Sequence, residues 1–351
     1  MSVHKFALLG CGKIATKHLE IITSDLSNAK LVAVCDLDQA ISREVAKRYK
    51  VPGYTDVRKM IDQDNPDTVV ILTPSGIHAQ NIQELSPHNV NLIIEKPIAL
   101  KIDDAENIIK LCKDRHLSLS VVKQNRFNKP ILLLKQYIDE GKLGNLFMSS
   151  IRVRWSRSQS YYDQANWRGT WKFDGGVITN QASHHIDMMQ WLMGEVESVY
   201  AKAGNFGSQI EAEDTAVVVI KFKSGALGTI EASTALKPKD IEGSISVLGN
   251  KGSIEVGGFA MNNMKVCEIA DLNLNFDKNL DIYDNPRNDR NYAHREFYKD
   301  YINRFKNNER PMVDAEEAFK SLSIIHAIYK SIQEKREVFL NEDKLQSRLG
   351  V

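Results

Sequence analysis

Cysteine is scarce in this 351-residue chain. Its four residues, Cys11, Cys35, Cys112 and Cys267, lie far apart and form no CxxC pair, which argues against a zinc site and a disulfide framework. An excess of charge of one sign is also missing, since 46 Lys+Arg face 45 Asp+Glu for a formal net charge of +1. A nucleic-acid-binding face would leave a basic surplus and a solvating tail an acidic one, so neither is expected. Long hydrophobic runs are lacking too. The longest, such as 31–35 and 216–220, reach about five residues against about twenty for a membrane span. Leu8-Leu9-Gly10-Cys11 mimics a lipoprotein cleavage box, yet only about four apolar residues precede Gly10, too few for an export signal. The protein is expected in the cytoplasm, with neither nucleic acid nor membrane as partner. No internal repeat or low-complexity tract appears.

What remains is an ordinary globular composition, 42% hydrophobic, in a chain long enough for about two domains. Up to residue 124, apolar runs at 5–10, 31–36, 68–73, 91–95 and 118–123 alternate with helix-like segments at 14–22, 39–49, 78–85 and 103–116. The later runs are continuously apolar, as in strands buried on both faces. This alternation predicts right-handed crossovers and a doubly wound parallel sheet. From residue 125 to 351 the pattern changes. A helix at 130–140 precedes a long alternating strand at 147–157, then hairpins pair 216–222 with 228–233 and 244–248 with 253–256. A second, α+β domain with a large, mostly antiparallel open sheet is expected. One sheet face would carry helices and the other would be covered, often by a second copy. The weakly patterned stretch 259–288 reads as loop, and helical signals return at 294–305 and 315–335.

Gly10-Cys11-Gly12-Lys13-Ile14-Ala15 is G-x-G-x-x-A at the end of the first strand. Gly10 permits a tight turn, Gly12 lets the backbone approach a pyrophosphate, and Ala15 allows close helix packing. Asp36 follows 21 residues after Ala15, where a carboxylate can accept the adenosine-ribose hydroxyls; it could also cap the next helix. Leu37 and Asp38 come next, with Arg43 the first basic residue beyond. A 2′-phosphate would meet two carboxylates and no guanidinium, so NAD is expected rather than NADP.

Two further strand ends are polar: Thr73-Pro74-Ser75-Gly76-Ile77-His78 and Glu95-Lys96-Pro97. Ligands of open α/β sheets bind beyond such ends. A partly desolvated Lys96 could move a proton near neutrality; it could equally be a surface lysine paired with Glu95. Farther on, if 179–193 is a helix, Asn180, His184 and Asp187 share one face with Trp191 a turn on, while His185 points about 100° away. Adjacent histidines diverge on a helix, so no metal site is expected from His184, His185 and Asp187. His185 reads as packing or a rim contact.

Taken together, Gly10–Ala15, Asp36, Thr73-Pro74 with His78, Glu95-Lys96-Pro97 and the stretch Asn180–Asp187 resemble the glucose-fructose oxidoreductase/inositol dehydrogenase (Gfo/Idh/MocA) family over essentially the whole chain. The resemblance implies that Lys96, His184 and Asn180 are catalytic. Asn180 departs from the acid that many members carry, which shifts base work to His184 or Lys96. Lys123-Gln124-Asn125-Arg126-Phe127-Asn128, Trp167-Arg168-Gly169-Thr170-Trp171, Asp174-Gly175-Gly176 and Asn180-Gln181 look like its nucleotide-sugar 3-dehydrogenase (WlbA/WbpB-like) branch. That likeness implies oxidation of a UDP-linked N-acetylhexosamine uronate at C3, a homotetramer formed through the C-terminal sheet, and a downstream PLP aminotransferase in surface polysaccharide synthesis. It further implies cofactor contacts from Gly10, Gly12, Lys13, Ile14, Asp36, Thr73, Pro74, His78, Glu95, Lys96, Gln124, Trp167 and Arg168. Substrate contacts would come from Lys96, Asn125, Arg126, Arg168, Asn180 and His184, the two arginines gripping a diphosphate or carboxylate. A dehydrogenase of a free polyol such as inositol, or a non-catalytic NAD-binding sensor, are the competing expectations.

Overall fold

The computed structural model describes residues 3–270, 283–343 and 345–351, divided into two compact units. The first comprises Met1–Gln124 and Ala293–Phe319. Its strands are β1 (His4–Leu9), β2 (Ala29–Cys35), β3 (Gly53–Tyr54), β4 (Thr68–Ile71), β5 (Asn91–Ile94) and β6 (Leu119–Val121). Helices α1 (Ala15–Glu20), α2 (Gln39–Tyr49), α3 (Val57–Asp64), α4 (His78–Leu85) and α5 (Ile102–Asp114) connect them. All pairings are parallel and the strand order is β3-β2-β1-β4-β5-β6. β4 is buried at every position and β5 at all but its first, as a sheet covered on both faces requires. The short β3 and the helix α3 were not foreseen. α3 is nonetheless well signalled, with Asp56 capping its start through Arg58 and Lys59 N–H and Asn65 ending it at φ 45°.

Register decides where chemistry can be placed in this unit. Leu9 pairs with Cys35 and with Ile71, Ile71 with Ile94, and Ile94 with Val121. Gly10, Asp36, Leu72 and Glu95, the residues that follow, therefore emerge along one carboxyl edge. The order of strands reverses between β1 and β4, which opens the crevice there. Ala293–Phe319 adds a helical segment to this unit, where the sequence pattern had assigned it to the second domain. Tyr298 and Tyr301, both buried, pack edge-on and tilted against Phe6 of β1. That recruitment is long-range packing, for which local periodicity carries no signal.

The second unit holds Asn125–Tyr292 and Lys320–Val351. It begins with α6 (Lys129–Asp139), β7 (Leu146–Arg154), α7 (Gln159–Asp163) and α8 (Ser183–Met193). Strands β8 (Val196–Gly204), β9 (Thr215–Phe222), β10 (Leu227–Ser233), β11 (Glu242–Gly249), β12 (Gly252–Gly257) and β13 (Asn263–Ile269) follow, and β14 (Val338–Phe339) closes the set. The eight-stranded sheet runs β13-β12-β11-β7-β10-β9-β8-β14, antiparallel except for the parallel β7–β10 pair. β9 alternates buried and exposed residues perfectly from Ala216 to Phe222, the mark of a sheet covered on one face. α8 packs on β7 and β11, and α6 on β12. The predicted loop at 259–288 is corrected at 263–269, where β13 pairs antiparallel with β12; residues 271–282 lie outside the described residues. β13 lacks a clean alternation because Lys265 and Val266 are both exposed beside a register shift opposite Glu255/Val256.

Candidate functional site

Two of the glycines at the end of β1 are required for different reasons. Gly10 has φ +95°, and a Cβ there would stand 2.9 Å from the Leu72 carbonyl carbon, so the turn itself demands glycine. Gly12 is different: no protein atom lies within 4 Å of the place its Cβ would take. The fold gains nothing from a missing side chain at Gly12, whereas a phosphate approaching the backbone does. Lys13 and Ile14 beside it are exposed, and Ile14 leads into α1 with no side-chain cap. Asp36 turns toward this loop, accepting from Cys11 N–H (2.8 Å) and Asp38 N–H (2.9 Å). The cap of α2 is Asp38, bonded to Ala40 and Ile41 N–H, so Asp36 does not serve that role. These residues fit a dinucleotide whose pyrophosphate lies on the glycine loop and whose ribose reaches Asp36.

At the next edge positions, Thr73 donates to Asn81 Oδ1 (2.6 Å) and Pro74 is exposed. The resemblance puts His78 at the cofactor; the structure corrects this. His78 is 1% exposed, with Nδ1 at 2.7 Å from Pro97 O and Nε2 at 2.9 Å from Thr73 O. Burial lowers its pKa, outweighing these carbonyls. Neutral, the ring carries one N–H and donates to one of these carbonyls, buried between the two polar strand ends. Lys96 and Glu95 are half-buried, with Lys96 N–H donating to Glu95 Oε2 (3.1 Å).

Glu95 is anchored from below by residues the sequence did not flag. His18 Nε2 lies 3.1 Å from Glu95 Oε1, and His18 Nδ1 lies 2.7 Å from the Tyr298 hydroxyl. Burial alone would raise the Glu95 pKa; the hydrogen bond and charge of His18 and the Lys96 ammonium overcome it and hold it at about 2. His18, Glu95 and His294 place ligating atoms within 4.8 Å of one another, alone among the described residues. Lys96 and Lys17 act electrostatically on the same groups, an environment hostile to a divalent cation.

In the second unit, α8 starts at Ser183 rather than at 179. Asn180 lies in the preceding turn, its N–H donating to Gly176 O (2.9 Å). The expected polar stripe therefore splits. Along 174–190 every residue is buried except Asn180 and His184, which are half-exposed. Asn180 Nδ2 donates to Asp174 Oδ1 (2.6 Å), and Asp174 Oδ2 accepts from Gly169 N–H (2.8 Å). Asp187 goes the other way, into the core.

There it meets Arg126, and this corrects the expectation that Arg126 grips a ligand. Both side chains are 1% exposed, joined by Nε–Oδ2 at 2.7 Å and Nη2–Oδ1 at 3.0 Å. The guanidinium also sits 4.9 Å from the Trp191 ring centroid. The pair spans 61 residues, a separation that hides it from any local motif. Asn125 is buried and Gln124 half-buried in the same short turn. Arg168 remains half-exposed: its Nη1 donates to Tyr161 O (2.7 Å) and Gln164 Oε1 (3.2 Å), over the Tyr161 ring. With Gly169 and Thr170 it lines a cavity of about 460 Å³; Trp167, beside it, is half-exposed but outside that lining. His185 is fully buried against Trp155, and burial drives its pKa to about 3, in keeping with a packing role.

Comparison with known proteins agrees with this geometry. Residues 4–123 match the family model described as "Oxidoreductase family, NAD-binding Rossmann fold", and 135–340 that described as "Oxidoreductase family, C-terminal alpha/beta domain". The WlbA dehydrogenase of Chromobacterium violaceum, solved with NADH and UDP-GlcNAcA, is 37% identical over 98% of both chains, with a TM-score of 0.90. The Bordetella pertussis WlbA dehydrogenase, with the same ligands, is 34% identical over 98% of this chain and 99% of its own, at 0.87. A myo-inositol 2-dehydrogenase of Thermotoga maritima is 28% identical over 96% of this chain and 99% of its own. Among the described residues no helix is long and apolar enough to cross a membrane. The chain is a member of the Gfo/Idh/MocA oxidoreductase family, an NAD-dependent dehydrogenase built from that family's NAD-binding Rossmann fold and C-terminal alpha/beta domain.

Proposed function

We propose that the chain oxidises the C3 hydroxyl of a UDP-linked N-acetylhexosamine uronate, or a close relative, to the 3-keto sugar. The observation that carries this reading is the pair Asn180 and His184, the two polar side chains left half-exposed in an otherwise buried run. Support comes from the likeness, over 98% of the chain, to two dehydrogenases solved with NADH and UDP-GlcNAcA. NAD+ supplies the acceptor for the hydride that leaves C3. His184 takes the hydroxyl proton, Lys96 stabilises the alkoxide that develops, and Asn180 hydrogen-bonds the sugar. Arg168, half-exposed, can turn one face of its fork toward the nucleotide diphosphate.

General-base catalysis is worth about 10²–10⁴-fold and one oxyanion donor about 10²–10³-fold. His184→Ala and Lys96→Ala should each lower turnover by those factors while NADH binding persists. Near-native turnover of His184→Ala would overturn its role. The second reading, a free-polyol dehydrogenase, is favoured by the inositol dehydrogenase likeness over 96% of the chain. Following reduced-cofactor absorbance with UDP-GlcNAc, its uronate and free inositols separates the two.

The product ketone is the substrate type of a PLP aminotransferase, which places this enzyme before a 3-amino sugar in cytoplasmic synthesis of surface polysaccharide. A homotetramer through the second sheet is supported by its open face, where Tyr200, Val217, Val219 and Leu227 are exposed.

A further inference from the structure

We propose that Asp174 is a positioning residue that fixes which end of the Asn180 amide faces the substrate and thereby makes position 180 a hydrogen-bond acceptor. Asp174 Oδ1 accepts from the Asn180 NH2 at 2.6 Å, which fixes that end of the amide on Asp174. The carbonyl Oδ1 is then turned away from Asp174. Asp174 cannot easily yield, because it is 5% exposed and its other oxygen holds Gly169 N–H. The turn that joins the two residues is equally fixed. Gly176 N–H donates to the Tyr329 hydroxyl (3.2 Å), Gly176 O accepts from Asn180 N–H, and Glu213 fills the space a Cβ at Gly176 would need.

The consequence is a chemical selection. An acceptor at 180 favours a ligand that presents a donor, either a hydroxyl or the N–H of an acetamido group, and disfavours a carboxylate or phosphate oxygen there. This inference rests on the reading that Asn180 and His184 face the sugar. It also predicts that an acid at 180 would be a poor replacement, since two carboxylates at 2.6 Å cannot both ionise.

Three variants test it: Asp174→Asn, Asn180→Asp and the exchange of both. Asp174→Asn frees the amide to turn, and kcat/KM for UDP-GlcNAc uronate should fall by about 10²-fold. Asn180→Asp should fall further, and its pH–rate profile should gain an ionisation above the ordinary carboxylate range. In the exchanged variant the amide carried at position 174 donates to the carboxylate at position 180. There kcat/KM should recover at least about tenfold over Asn180→Asp, and the extra ionisation should move down. Asp174→Asn within twofold of native, or an exchange no better than Asn180→Asp, overturns the proposal. A readout without substrate separates it from the functional reading. The Tm deficit of Asn180→Asp should widen from pH 5 to pH 8 and vanish on exchange, because the shared proton raises a folded-state pKa. If native enzyme turns over no UDP-sugar, the functional reading fails while this Tm comparison still decides the Asp174–Asn180 contact; a pH-independent deficit rejects the contact.

Discussion

Removing Asp187 should be among the most damaging single changes in the second unit. Arg126 and Asp187 are each 1% exposed and joined by two short hydrogen bonds. Asp187→Ala would leave a guanidinium in the core facing Trp191 without the Asp187 carboxylate that holds it through two short bonds. Breaking one side of a buried pair costs about 3–5 kcal/mol, a large share of the roughly 5–15 kcal/mol that hold a typical domain together. At about 2–4 °C per kcal/mol for a unit of this size, Tm should fall by about 6–20 °C. Replacing both members removes that guanidinium as well. Arg126→Met with Asp187→Leu should therefore recover most of the loss, as such replacements are often neutral or better. Urea and thermal unfolding of the two singles and the double form the cycle. A cost below about 1 kcal/mol for Asp187→Ala, or a double variant no better than the singles, would refute the reasoning. A double variant as stable as native but with KM for the UDP-sugar raised tenfold or more would return Arg126 to the substrate site.

Gly12→Ala should leave stability within about 0.5 kcal/mol, since nothing lies within 4 Å of the new Cβ, yet weaken NADH binding measured by fluorescence titration; unchanged affinity would remove the pyrophosphate from this loop. Gly10→Ala should instead destabilise by about 1–3 kcal/mol through its positive φ and the Leu72 backbone, read by urea unfolding. Burial raises the Glu213 carboxyl from 4.5 to about 7. The folded state then keeps a proton that the unfolded chain gives up, so stability should fall as pH rises from 4.5 to 7 and level off above. That slope amounts to at most about 3 kcal/mol and should disappear in Glu213→Gln; a parallel pH dependence in both proteins would contradict the assignment. All four thiols are buried, with Cys11 and Cys35 pushed up to about 12 by burial. A thiol reagent should modify none in the native enzyme and all on unfolding.

Much of the first unit was legible because its signals are local. Apolar runs too continuous for one-sided burial specify strands of a covered parallel sheet, and Gly10, Gly12 and Asp36 stand at spacings that backbone geometry dictates. Lys96, Asn180 and His184 stood out as polar residues where an apolar pattern stops, and the proposed function rests on them. Two features depended on tertiary packing instead. Asn180 and Asp187 share a helix face by periodicity, but α8 starts at Ser183, so one stays half-exposed and the other enters the core to meet Arg126. His78 looked like a ligand contact, but the fold buries its ring between the carbonyls of Thr73 and Pro97.

The sequence by itself determined the fold class, the cofactor loop and the residue types available for proton transfer, because each rests on short-range spacing and composition. Tertiary structure alone decided which polar groups are consumed in building the protein. It spent Arg126 on Asp187 and His18 on Glu95, and it turned the Asn180 amide by Asp174. The physical reason is that a buried polar group must find its partner wherever the fold brings one, and neither chain separation nor local propensity says where that will be.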